Sequence, residues 1–322
     1  MAIKARGDSS CGVFIPDACF PASHPMNHDP HVLALGYPKC GNVWLRALLA
    51  DLLRAGGVDF RQIMENHPIA PVLEEMDLGI RDQARQDQVR FDPLRAYQDI
   101  PAVFSWAIPD IHAYAAATSM AHSHSSWMRG IDPFIGAFSH RVLIVRDPRD
   151  VAVSWSRWIF TPFNRLHRPT LHETPEALLR CDLALRVAEW NAHQKGWLEE
   201  CSPDLSPHLV FYEQLVDDTP QELGRIARYL GLEVSEEALK RVAASHALNE
   251  MRKRQPHHVY RGGWGGWLEH LDDRQVHEVQ RICGRMMKSL GYPLNRGESQ
   301  GWTPDLLRAP TRSGRSRAGL EP

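Results

Sequence analysis

Apolar residues recur at two different periods along this chain. Val32 to Leu35 form an unbroken apolar run closed by Gly36, the pattern of a buried strand. From Val43 onward, Leu45, Leu48, Leu49, Leu52 and Leu53 repeat at helical spacing, and Gly56-Gly57 end the repeat. A second run, Val142 to Val145, predicts another strand, with Asp150 expected to cap the helix after it. A third strand is read in "HLVFYE", residues 208–213.

Helices fill the second half. "TPQELGRIARYLG" carries Thr219 as the expected cap, Pro220 at the first position, Glu222 completing a capping box and Gly231 as the stop. Ser235 is placed to cap the next helix. "DDRQVHEVQRICGRMMKSLGYP" sets Val276, Val279, Ile282, Met286 and Leu290 on one face before Gly291 and Pro293. Residues 58–123 form a mixed segment with polar helical patches around 73–90. Strands alternating with helices predict an α/β fold with a parallel sheet flanked by helices, in a single domain. Residues 1–29 read as an irregular lead-in, 30–295 as the domain and 296–322 as a disordered tail, with Arg308, Arg312, Arg315 and Arg317 among Gly, Ser and Pro.

Composition narrows the function classes. The chain has 322 residues, 43% of them hydrophobic, and a formal net charge of −2. That balance gives no support to nucleic-acid binding, which needs a basic domain or stripe. Cys11, Cys19, Cys40, Cys181, Cys201 and Cys283 show neither a CxxC pair nor ligand spacing, so neither a zinc site nor a disulfide framework is expected. No apolar stretch reaches signal-peptide or membrane-span length. The expectation is a cytoplasmic protein with reduced thiols.

Three clusters carry candidate chemistry. The first strand runs into Tyr37-Pro38-Lys39-Cys40-Gly41-Asn42 and then a helix. This is the outline of a phosphate loop, but Lys39 precedes Gly41, and no Ser or Thr is at hand for magnesium. The loop can hold an anion through backbone N–H groups and Lys39, or it is an ordinary turn with an exposed lysine. In "VRDPRDVAVS", Arg146 ends a strand and Ser154 follows eight positions later. Together they offer a fork and a hydroxyl for a separate phosphate; the plain alternative is a salt bridge from Arg146 to Asp147 or Asp150. "YRGGWGGWLEHL", residues 260–271, suits a flap that closes on an anion, or a Gly-rich surface loop.

Taken in order, "YPKCGNVW", "RDPRDVAVS" and "RGGWGGW" resemble the three motifs of the PAPS-dependent sulfotransferase family and span residues 37–267. The resemblance implies transfer of a sulfuryl group from PAPS to a hydroxyl, leaving PAP, without a metal. It places the phosphosulfate on Tyr37, Pro38, Lys39, Cys40, Gly41, Asn42 and Val43, and the 3′-phosphate on Arg146 and Ser154. The adenine falls to Trp44, Tyr212 and Leu248, and the flap to Arg261, Gly262 and Gly263. Lys39 would stabilise the leaving oxygen. "MAHSHSSW" lies where the family keeps its base, and His124, 22 positions before Arg146, is the expected one. Lys39, His124 and Ser154 are thus the expected catalytic group.

Departures from the family pattern are specific. Cys40 replaces a hydroxyl residue, and a reactive thiol at a helix N-terminus is the other reading of it. His122 stands where a second lysine is often found, and Gly262 and Gly266 replace charged flap residues. The family's dimerisation pattern is absent from "LEHLDDRQVHEV", which leaves the oligomeric state open. Trp106, Tyr114, Trp127, Trp158, Phe160 and Phe163 are candidates to wall the pocket of a small-molecule hydroxyl acceptor. A sugar hydroxyl on an oligosaccharide or glycolipid is the alternative acceptor. A kinase-like P-loop enzyme and an inactive nucleotide-binding scaffold are the competing classes.

Overall fold

A computed structural model of the chain describes residues 29–69, 71, 85–100, 104–254 and 262–310. Among the described residues seven strands follow in order: β1 Val32–Gly36, β2 Val89–Phe91, β3 Ala96–Ile100, β4 Phe104–Ala107, β5 Met120–Ser123, β6 His140–Val145 and β7 His208–Phe211. Four of them form a parallel sheet in the order β5-β1-β6-β7. The helices that matter below are α1 Asn42–Ala55, α2 Pro148–Ile159, α3 Pro162–His167, α4 Pro175–Lys195, α5 Tyr212–Asp217, α6 Thr219–Leu230, α7 Glu236–Ser245, α8 Leu248–Arg254 and α9 Asp273–Leu290. The expected α/β fold with a helix-flanked parallel sheet is what forms.

The core follows from the apolar pattern. Leu48, Leu49, Leu52 and Leu53 of α1 are fully buried, as are Leu143, Ile144 and Val145 of β6. Burying one such side chain contributes about 1.5–3 kcal/mol. Consecutive buried residues in β1 and β6 are the mark of a sheet covered on both faces. Val276, Val279, Met286 and Leu290 line the inner side of α9, with Ile282 partly buried beside them.

Several local expectations are corrected. Asp147, not Asp150, caps α2, because its carboxylate accepts from the Arg149 N–H at 2.9 Å. Asp218 rather than Thr219 caps α6, and Glu222 turns to Arg225 instead of closing a capping box. Ser235 does cap α7, accepting from the Ala238 N–H, and Gly231 (φ 71°) and Gly291 (φ 89°) end their helices left-handed. In the mixed segment, β2, β3 and β4 build a small antiparallel sheet. Most of the helical patch expected at 73–90 lies outside the described residues, and its end is strand β2.

Residues 296–310, assigned from sequence to an unstructured tail, pack on the domain. Leu307 is buried, the Trp302 indole donates to the Gly291 carbonyl at 2.9 Å, and Gln214 donates to the Pro304 carbonyl at 3.0 Å. Two large apolar side chains with a covered face to meet outweigh the polar composition around them. Residues 1–28 and 311–322 lie outside the described residues. No helix among the described residues is long and apolar enough to cross a membrane.

Candidate active site

All four strands of the parallel sheet deliver site residues from their carboxyl ends, where open α/β sheets bind ligands. β1 leads into the Lys39 loop, β5 into His124, β6 into Arg146 and β7 into Tyr212. The chain leaves β1 first toward β5 and then crosses to β6, so the strand order reverses at β1 and opens a crevice there. The crevice is a cavity of about 470 Å³.

The loop after β1 is tightly determined. The Cys40 N–H donates to the Tyr37 carbonyl at 3.2 Å, and the Asn42 side chain donates to the same carbonyl at 2.9 Å. Gly41 has φ 106°, and a Cβ there would come within 2.6 Å of the Tyr212 ring, so only glycine fits. Lys39 is the one non-glycine residue with positive φ among the described residues, at 73°. Such a conformation costs about 1–3 kcal/mol and persists where the surroundings hold it. Burial, with the neighbouring Arg146 charge, lowers the Lys39 ammonium to about 7. Its Nζ lies 5.3 Å from the centre of the Trp158 ring.

Pro38, Lys39, Gly41, Asn42, Val43 and Trp44 all line the cavity. Two residues of the expected loop set do not. The Tyr37 hydroxyl turns away to donate to Glu189 of α4 at 2.8 Å. Cys40 is fully buried, and burial pushes its thiol far above the ordinary range, so the reactive-thiolate reading fails. Both can serve a ligand only through their backbone.

Arg146 joins the loop to the other half of the cavity. Its Nη1 donates to the Lys39 carbonyl at 3.4 Å, its Nη2 to the Gly263 carbonyl at 3.2 Å, and its guanidinium lies 4.2 Å over the Tyr212 ring. The buried Nε has no partner among the described residues. No ion pair links Arg146 to Asp147 or Asp150 among the described residues; Asp147 pairs with Arg149 at 2.6 Å. Ser154, Tyr212 and Leu248 line the same cavity, and the Trp44 ring meets Tyr212 edge-on at 5.8 Å.

The His124 segment is not the polar surface loop that its composition permits. β5 pairs with β1, and Met120 to Ser123 are buried. The Gly36 carbonyl accepts from His124 Nδ1 at 2.7 Å, which fixes the tautomer and leaves the lone pair on Nε2, with no hydrogen-bond partner there among the described residues. Burial lowers the imidazole to about 4, with Arg46 and Lys39 adding repulsion. Arg46 of α1 was not singled out in the sequence, since a charged residue in an amphipathic helix reads as solvent-facing. It is 9% exposed, lines the cavity and holds Nη1 2.9 Å from His122.

Asp150, expected as a cap, anchors the glycine-rich segment instead. Its two carboxylate oxygens accept from the Gly265 N–H at 2.7 Å and the Trp267 N–H at 2.8 Å. Trp267 is buried, with the Arg149 guanidinium 3.7 Å from its ring centre, while Gly262, Gly263 and Trp264 face the cavity. Arg261 lies outside the described residues. Asp150→Ala is expected to release this segment, with amide exchange at Gly265 and Trp267 rising about 10- to 100-fold on the loss of two buried charge-assisted hydrogen bonds. Hydrogen exchange checks it; unchanged protection would mean that Asp150 does not hold the segment.

Of the aromatic residues expected around an acceptor, Trp158 and Phe163 line the cavity. Tyr114 is buried on Gln98, Trp106 stacks on His67, and Trp127 packs against the core.

Comparison with known proteins places this geometry. A sulfotransferase-domain family model matches residues 29–291. The chain is 22% identical over 282 residues to a 3-alpha-hydroxysteroid sulfotransferase of Cavia porcellus, covering 82% of this chain and 85% of that one. It is 21% identical over 280 residues to the Homo sapiens sulfotransferase 2B1, covering 81% and 67%. A mouse sulfotransferase solved with PAP shares the fold, with a TM-score of 0.53, 20% identity and coverage of 81% of this chain and 86% of that one. The family match extends over most of the chain and includes the loop, the Arg146 strand end and the flap; this protein belongs to the sulfotransferase family, of the PAPS-dependent type.

Proposed function

We propose that this enzyme takes PAPS as donor and passes the sulfuryl group to a hydroxyl of a small-molecule acceptor. The observation that carries the reading is that Lys39, Arg146 and His124, from three different strand ends, face one cavity. Its volume of about 470 Å³ falls within the usual range for small-ligand sites. The residues present suit the donor. Lys39 and the loop amides answer the phosphosulfate, Arg146 with Ser154 the 3′-phosphate, and Trp44, Tyr212 and Leu248 the adenine. The orphaned Arg146 Nε favours an anion at that end. The PAP held by the mouse sulfotransferase supports the donor class.

Bound PAPS supplies the sulfuryl group; the chain supplies charge and a proton acceptor. The acceptor hydroxyl loses its proton to His124 Nε2 as its oxygen bonds to sulfur. Lys39 meets the charge left on the departing phosphate oxygen. His124 is neutral at pH 7, because burial and two cations hold it near 4. Donor anions beside Arg46 and Lys39 remove part of that repulsion and raise His124 toward the range where a base is effective. Trp158 and Phe163 give the acceptor an apolar wall.

Mass spectrometry of mixtures of enzyme, PAPS and a panel of phenols, sterols and sugars tests the reading. A phenol or sterol gaining a sulfuryl group, with PAP released, is expected, and a chelator should leave the rate unchanged. Failure to bind PAP, or products confined to sugars, would overturn it.

A pH dependence follows. In the free enzyme Lys39 is protonated below about 7 and loses its charge as pH rises. An anion binds the charged form, so PAP affinity should hold below pH 7 and weaken above it, and binding at pH 8 should take up a proton. Calorimetry in buffers of different ionisation enthalpy measures that uptake. A pH-independent affinity would remove Lys39 from the anion site.

A further inference from the structure

We infer that Arg46 is a second cationic grip of the transfer site, holding the sulfuryl oxygens of the donor rather than its nucleotide. This rests on the proposed donor. Arg46 lies on α1, 9% exposed, with its side chain on the cavity wall. Its Nη1 is 2.9 Å from the ring nitrogens of His122. A guanidinium has donors only, so His122 accepts as a neutral ring and brings no charge of its own. Arg46 Nε is buried without a partner, and no ion pair to Arg46 exists among the described residues. Burial lowers its pKa to about 10, and among the described residues no carboxylate offsets the charge.

A buried cation without a counter-charge is costly unless an anion completes the site. Topology says which anion. With the sheet order β5-β1-β6-β7, Arg46 and His122 stand on the β5 side of the loop and Arg146 on the β6 side. The His122 ring meets His124 edge-on at 5.7 Å, which puts Arg46 beside the base. Between that base and Lys39 the travelling group is the sulfuryl, whose negative oxygens suit a planar fork of donors. The 3′-phosphate belongs to the opposite side, with Arg146.

The test uses the full-length enzyme and two nucleotides that differ only in the sulfuryl group. Calorimetry should show that Arg46→Gln weakens PAPS binding at least about tenfold, while PAP affinity stays within about twofold. Arg46→Lys, which keeps charge but not the fork, should weaken PAPS by a smaller factor, again sparing PAP. An equal loss for both ligands would overturn the inference in favour of a structural or nucleotide role. No loss for PAPS would overturn it too, and leave a carboxylate on the acceptor as the partner. If Arg46→Gln unfolds at the assay temperature, Arg46→Lys decides by the same comparison. Failure of the unaltered enzyme to bind either nucleotide would instead count against the donor itself.

Discussion

Lys39→Ala is expected to lower the single-turnover rate of sulfuryl transfer by about 10²–10³-fold, the usual cost of losing one preorganised donor at a developing charge. The loss should not come from unfolding. Alanine at φ 73° is strained much as lysine is, and removing an ammonium that burial already disfavours relieves a desolvation cost. The melting temperature should therefore hold or rise. A variant that keeps its rate within about tenfold would refute the leaving-oxygen role. Lys39→Arg is no safe substitute, since a longer planar head would have to fit between Trp158 and the loop.

His124 should show a loss of about 10²–10⁴-fold in turnover when its base is removed, with PAP affinity kept. The alanine variant mixes two effects, because it also strips the Gly36 carbonyl of the donor 2.7 Å away. His124→Asn separates them. Its amide can donate to that carbonyl and hold the strand end, yet it offers no basic nitrogen. If His124→Asn turned over at the normal rate, the base would lie elsewhere. His122 is poorly suited to inherit the task, being buried in β5 and occupied by Arg46.

Much of the scaffold was legible because burial imposes periodicity. β1, α1, β6, α6 and α9 each carry an apolar run or stripe, and each forms where the pattern predicts; β7 stops at Phe211, two residues short of the expected strand, and Tyr212 and Glu213 open helix α5 instead. β5 left no such trace. "MAHS" mixes polar and apolar residues, and it becomes a strand because β1 offers its backbone a partner. The antiparallel sheet of β2, β3 and β4 was missed for the same reason: its short strands take their stability from pairing rather than composition.

The site divides along a similar line. Lys39, Gly41, Arg146, Ser154 and Gly263 stand in ordered motifs, and all of them meet at one cavity. Tyr37 and Cys40 stand in the same motif, yet their side chains point into the protein. Sequence spacing cannot tell a residue that offers its backbone from one that offers its side chain. Asp150 shows the converse. Spacing made it a helix cap, but a nearer carboxylate, Asp147, took that place and left Asp150 to receive the N–H groups of Gly265 and Trp267.

The sequence by itself determined the layered α/β scaffold and the three motifs that mark a sulfotransferase. Both are written in local features, namely the period of apolar residues and the identity of residues within a few positions of one another. Only the tertiary structure decided that Arg46 joins the site, that His124 is held as one tautomer, and that Asp150 ties down the flap. Each of these depends on groups 76 to 117 positions apart in the chain. Contacts at that range are set by how the strands order themselves in the sheet, and burial then fixes the charge and protonation of whatever they bring together.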